Sequence, residues 1–158
     1  MLNYHRSEPL DAAQAFRKAA DYCAAQERCL DEMRIKLRQW GVSDTLIQTT
    51  LEKLTNEGFI DEQRFATAFA RGKFRLLEWG KVKIAMELKA RKIPLALINK
   101  ALDEIEETDY RDTIKSLLFK RFHGKNNPSR EEIMKTTNFL IGKGFEIEII
   151  KNILKENF

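Results

Sequence analysis

Between Arg64 and Lys92, arginines and lysines alternate with large aromatic rings. Phe65, Phe69, Phe74 and Trp79 lie among Arg64, Arg71, Lys73, Arg75 and Lys81. Basic side chains hold phosphates, and aromatic rings stack on unpaired bases, so this composition suits single-stranded nucleic acid. Contacts of this kind position a backbone without reading its sequence. Phe65 and Phe69 are four residues apart and share one helix face, which predicts core packing for both. Phe74 and Trp79 stand open between core packing and stacking. From Arg71 to Lys92 there are eight basic and two acidic residues, a local charge of +6. Asp103 to Asp112 follows with six carboxylates and one arginine, a local charge of −5. Such a dipole can steer a polyanion or an acidic protein face toward one surface. Two solvated helix faces of opposite sign are the plainer alternative.

Catalytic constellations are sparse. The pairs Gly72-Lys73, Gly80-Lys81 and Gly124-Lys125 lack the earlier glycine and the following hydroxyl of a phosphate-binding loop, and no G-x-G-x-x-G occurs. His5 and His123 are the two histidines, and neither has ligand spacing to a cysteine or carboxylate, so no metal site is expected. Cys23 with a distant histidine would make a nucleophile and base, but Tyr22, Ala24 and Ala25 around it suggest a core thiol. Cys23 and Cys29 lie six apart in a helical pattern, which points them away from each other and fits a reduced, cytoplasmic chain. Asp103, Glu106 and Glu107 fall on one face of a helical reading and would hold a divalent cation weakly; a solvated linker is the simpler expectation. No cofactor and no enzymatic activity are expected.

The elements that must carry these residues follow from composition and periodicity. The chain has 158 residues, 33% charged and 43% apolar, enough to bury a core and too apolar for disorder over most of its length. Seven glycines and three prolines are too few turn residues for a β-sandwich or barrel. No uncharged run exceeds seven residues, so no membrane span is expected; the first residues lack the apolar stretch of a secretory signal.

One pattern recurs three times. Leu37-Arg38-Gln39-Trp40-Gly41-Val42, Leu88-Lys89-Ala90-Arg91-Lys92-Ile93 and Leu140-Ile141-Gly142-Lys143-Gly144-Phe145 stand 51 and 52 residues apart. Each reads as a helix end, a turn, an apolar plug and a second amphipathic helix. Ser43 and Pro94 suit the start of that helix. Further helices are predicted upstream, over Ala12 to Ala25, Asp61 to Leu77 and Tyr110 to Phe122. Gly58 and Asp61 mark a tight junction, and the acidic stretch Asp103 to Asp109 a linker. His123 to Pro128 reads as a mobile loop, followed by Ser129 and Glu132 as a capping box. The expected fold is all-α. Three tandem three-helix repeats, over residues 1–60, 61–105 and 106–158, form an elongated, curved rod suited to docking along a groove.

Gly58-Phe59-Ile60-Asp61-Glu62-Gln63-Arg64-Phe65-Ala66, Phe69-Ala70-Arg71-Gly72-Lys73, Trp79-Gly80-Lys81-Val82-Lys83-Ile84 and Glu87-Leu88-Lys89-Ala90-Arg91-Lys92-Ile93 together resemble the RecX regulatory proteins of bacteria. The triplicated helical architecture agrees with that resemblance; in the third repeat Thr136 stands where Met33 and Ile84 stand in the others. The resemblance implies a non-enzymatic modulator of the RecA recombinase in DNA repair, recombination and the SOS response. Such a modulator lies in the groove of the RecA–single-stranded-DNA filament and most often inhibits strand exchange, ATP hydrolysis and co-proteolysis. By position it makes Arg64, Arg71, Lys73, Arg75, Lys81, Lys83, Arg91 and Lys92 the contacts to RecA and DNA. Gly58, Phe65, Gly80, Ile84 and Leu88 become structural. The expected protein is a cytoplasmic monomer with weak direct DNA binding and no membrane contact. Two other classes share the architecture: a stand-alone basic helical DNA-binding protein and a generic helical protein-interaction module. Against the former, no single helix concentrates Arg, Asn and Gln as a base-reading surface would.

Overall fold

The computed structural model describes residues 8–158. Among them are nine α-helices and no strand: α1 (Ala12–Ala25), α2 (Leu30–Gln39), α3 (Asp44–Asn56), α4 (Glu62–Leu77), α5 (Lys81–Ala90), α6 (Leu95–Asp103), α7 (Glu107–Arg121), α8 (Arg130–Gly142) and α9 (Ile147–Asn157). They fall into two compact units, residues 1–65 and 66–158, with the boundary inside α4. His5 lies outside the described residues.

In the first unit, α1 opens with a capping box between Asp11 and Gln14, and α2 carries Asp31 and Glu32 in its first turn and Lys36 and Arg38 in its last. Those charges complement the helix dipole. Ala15 and Ala19 are fully buried, and their small side chains let α1 approach α3. Met33, Leu37, Ile47, Leu51, Leu54 and Ile60 fill the space between the three helices. Burying each such side chain contributes about 1.5–3 kcal/mol. Gly58 adopts φ +79° after α3, and Asp61 accepts the Arg64 N–H at 2.9 Å, so the tight junction forms as its residues suggest. Cys23 and Cys29 do not share a helix. Gln26–Arg28 break the pattern, and Cys29 becomes the N-cap of α2. Both thiols are free and buried, and burial pushes Cys29 up to about 11.

The recurrent turn is visible in backbone geometry. Val42, Ile93 and Phe145 donate their N–H to the carbonyls of Leu37, Leu88 and Leu140 at 3.1, 3.2 and 3.1 Å. All three plugs are buried. The residue before each plug is left-handed: Gly41 at φ +78°, Lys92 at +59° and Gly144 at +94°. Thr136 is buried like its counterparts Met33 and Ile84.

In the second unit, α5 packs on α6, and α7, α8 and α9 pack on one another. Ile84, Leu88, Ile98, Ile114, Leu118, Phe122, Leu140 and Ile150 are buried, as are Phe74 and Tyr110. The Ser129–Glu132 capping box forms in full. The acidic stretch is not the linker expected of it. α6 runs through Asp103 and α7 starts at Glu107, three residues before the expected start at Tyr110, so Glu104–Glu106 alone connect them. Asp103 closes one helix while Glu106 caps the next, so the three carboxylates do not share a face. No group of metal-ligating side chains occurs among the described residues.

Candidate functional site

The site grows from the end of α4. Positions 69 and 73 lie on one face of that helix; 71 and 75 lie on another, about 200° round from 73. α4 stops where Glu78 turns left-handed at φ 54°, and the Trp79 N–H closes back on the Lys73 carbonyl at 3.2 Å. This returns the indole to the Lys73 face. Lys73 Nζ lies 5.3 Å from the Phe69 ring centre and 5.1 Å from that of Trp79. Lys83, from the first turn of α5, reaches 4.4 Å over Trp79. Arg91, the C-cap of α5, places its guanidinium 4.8 Å over Phe69 while pairing with Glu87 at 3.0 Å. Lys81 Nζ sits 5.0 Å over the Tyr110 ring. Each exposed cation–π contact is worth about 0.5–1 kcal/mol. The described residues hold no ion pair to Lys73, Lys81 or Lys83, so their charge is left for an outside anion.

Of the eight expected contacts, the structure gathers Lys73, Lys81, Lys83 and Arg91 along this α4–α5 edge. Lys92 is exposed on the turn that follows. Arg71 and Arg75 face the other way. Arg71 pairs with Glu104 at 3.8 Å, and both line a cleft with Glu106 and Asp109. Arg75 also borders Glu78 and Asp112. Glu104 is thus spent on α4 itself, while Asp103, Glu106, Glu107, Asp109 and Asp112 stay exposed. Arg64 belongs to the first unit, where it binds Glu27 at 2.6 Å and the Gly58 carbonyl at 3.0 Å and so staples the α3–α4 turn. Phe65 and Phe74 are core residues; Phe69 and Trp79 are half-buried, with ring surface beneath the cations.

A backbone clasp holds the edge in place. The Gly80 and Val82 N–H groups donate to the Lys143 and Gly144 carbonyls at 2.8 and 2.9 Å. The Lys81 N–H donates to the Tyr110 hydroxyl at 2.9 Å, which in turn donates to the Glu146 carboxylate. The first amides of α5, whose N-cap Gly80 has no side chain to serve them, are thereby satisfied by the Tyr110 hydroxyl of α7 and the α8–α9 turn. Burial first, and the Glu146 hydrogen bond second, hold the Tyr110 phenol far above its usual range. A Cβ on Gly80 would lie 2.2 Å from Gly144 backbone, and one on Gly144 would lie 2.3 Å from the Lys83 Cβ. Gly80 stood out in the sequence, and Gly144 lay in the recurrent turn; Tyr110 and Glu146 did not stand out, because they come from the next repeat and carry no local motif.

The sequence models of the RecX first, second and third three-helix domains match residues 15–54, 61–102 and 107–154. Regulatory protein RecX of Pseudomonas putida (strain GB-1) is 33% identical over 149 residues, covering 94% of each chain. Its counterpart in Halorhodospira halophila is 30% identical, covering 92% of this chain and 89% of its own. The crystal structure of RecX from Lactobacillus salivarius superposes with a TM-score of 0.82 at 22% identity, over 92% of this chain and 95% of that one. A second RecX crystal structure gives 0.77 at 24% identity, over 92% and 73%. Three consecutive domain matches and full-length relatives at about a third identity place this chain in the RecX family of regulatory proteins.

Proposed function

We propose that this protein binds the RecA–single-stranded-DNA filament and restrains it, lowering ATP hydrolysis, strand exchange and co-proteolysis. The observation that carries the reading is the α4–α5 edge, where three lysines without carboxylate partners surround Trp79 and Tyr110. A filament groove walled by protein and floored by phosphodiester presents the anionic surface such an edge suits. Lys73, Lys81, Lys83, Arg91 and Lys92 make the contacts. Arg64, Arg71 and Arg75 support the fold or tune local charge. The protein acts without a catalytic step, as a cytoplasmic monomer, by holding neighbouring recombinase subunits against the shifts that turnover requires.

The experiment is DNA-dependent ATP hydrolysis by RecA with and without the protein. The expected result is a dose-dependent fall in rate that Lys81→Glu/Lys83→Glu weakens and that rising salt removes steeply. An unchanged rate with the wild-type chain, or full inhibition by the folded double variant, contradicts the reading.

A further inference from the structure

The first unit holds another gathering of cations on rings, built from residues with no part in the α4–α5 edge. Tyr22 of α1 and Trp40 at the end of α2 meet edge to face, with centres 5.7 Å apart. The Arg28 guanidinium lies 4.0 Å over Tyr22, and Lys18 Nζ lies 4.5 Å over Trp40. Lys36 Nζ reaches both rings, at 5.4 and 6.0 Å. Both rings are half-buried, and Lys18 is exposed. Carboxylates of this unit pair with Arg34, Arg38 and Arg64, while the described residues hold no ion pair to Lys18, Arg28 or Lys36.

The repeat register adds an independent observation. Lys18, Lys36 and Trp40 stand 51 residues before Phe69, Glu87 and Arg91. Arg91 lies 4.8 Å over Phe69. The same positions therefore carry a cation on a ring in both repeats, with the ring moved from the first helix to the end of the second. One cation would suffice to pin the helices together. In the second repeat Glu87 balances Arg91; in the first, Lys36 replaces that carboxylate and adds charge. Three like charges around two rings repel one another, an arrangement that a polyanion would relieve.

We propose that Lys18, Arg28 and Lys36, set around Tyr22 and Trp40, form a second binding site for single-stranded nucleic acid, separate from the α4–α5 edge. Phosphates draw the lysines off the rings, and a base takes the ring face they leave. Stacking on an aromatic ring outweighs the exposed cation–π contact it displaces. A duplex offers phosphates but no unpaired base, so the site prefers single strands.

The chain's two tryptophans, Trp40 and Trp79, report on the two places separately. In full-length Trp79→Phe, Trp40 is the one remaining indole, and its emission is followed during titration with oligothymidylate. The site predicts saturable quenching, with a log–log salt slope of about −2 for three phosphates on a single strand. Adding Lys18→Gln and Lys36→Gln to that chain should weaken binding about 10-fold at low salt and bring the slope to about −0.7. Far-ultraviolet circular dichroism confirms that each variant is folded. Unchanged Trp40 emission overturns the proposal, as does equal quenching by a duplex of the same length or equal affinity in the lysine variants. The first titration needs no lysine variant, so it decides even if those misfold. Because no recombinase is present, its outcome is independent of the filament reading.

Discussion

A single added carbon separates the glycines that matter here from those that do not. At Gly80 a methyl group would strike Gly144 backbone, which no side-chain movement relieves. At Gly72, in the middle of α4, it would meet nothing within 4 Å. Gly72→Ala should therefore stabilise the protein by about 0.5–1 kcal/mol through helix propensity. Gly80→Ala should destabilise it by more than about 2 kcal/mol, as overpacking against rigid surroundings does. Urea denaturation of the two variants checks the opposite signs. Lys92 is the converse case. It holds a left-handed backbone where the other repeats use Gly41 and Gly144, at a cost of about 1–2 kcal/mol. Its side chain is exposed on the turn between α5 and α6.

At the scale of elements, α5 is the helix whose ends explain the site. Its N-terminus has no side-chain cap of its own and depends on carbonyls and a hydroxyl brought by α7 and the α8–α9 turn. Tyr110→Phe keeps the ring among Phe74 and Phe145 but removes the acceptor for the Lys81 N–H and the donor to Glu146. A buried donor left unmet costs about 1–3 kcal/mol, so this variant should unfold at correspondingly lower urea. Faster exchange of the Lys81 amide proton should accompany the loss. The helix pattern itself was legible: α1 was read to the residue and α4 to within one, because capping residues and apolar spacing are local signals. The clasp was not, because backbone carbonyls carry no sequence mark and Tyr110 looks like any other core aromatic. The acidic stretch misled for a related reason. Glu106 caps α7 and Glu104 pairs with Arg71 of α4, roles that only packing assigns.

At the scale of the whole molecule, three copies of one helical module announce themselves through the 51- and 52-residue offsets, and three RecX domain models match in the same order. Charge was harder to read. The sequence shows eight basic residues in one window, but helical geometry divides them. Lys73, Lys81, Lys83 and Arg91 lie over rings, while Arg71 pairs with Glu104 and Arg75 borders a cleft lined by Glu78, Asp109 and Asp112. The central claim is that placement of charge on the α4–α5 edge, and not the protein's net +4, carries the effect on the filament. Two double variants that each remove two positive charges test it most directly: Lys73→Gln/Lys83→Gln and Arg71→Gln/Arg75→Gln. Inhibition of RecA's DNA-dependent ATP hydrolysis is measured for both beside the wild-type chain. The lysine pair should lose about 10-fold or more in apparent affinity, and the arginine pair less than about 3-fold, since Arg71 already pairs with Glu104 and Arg75 borders a cleft lined by Glu78, Asp109 and Asp112, away from the lysine face. Equal losses in the two variants, or a greater loss in the arginine pair, would contradict the account.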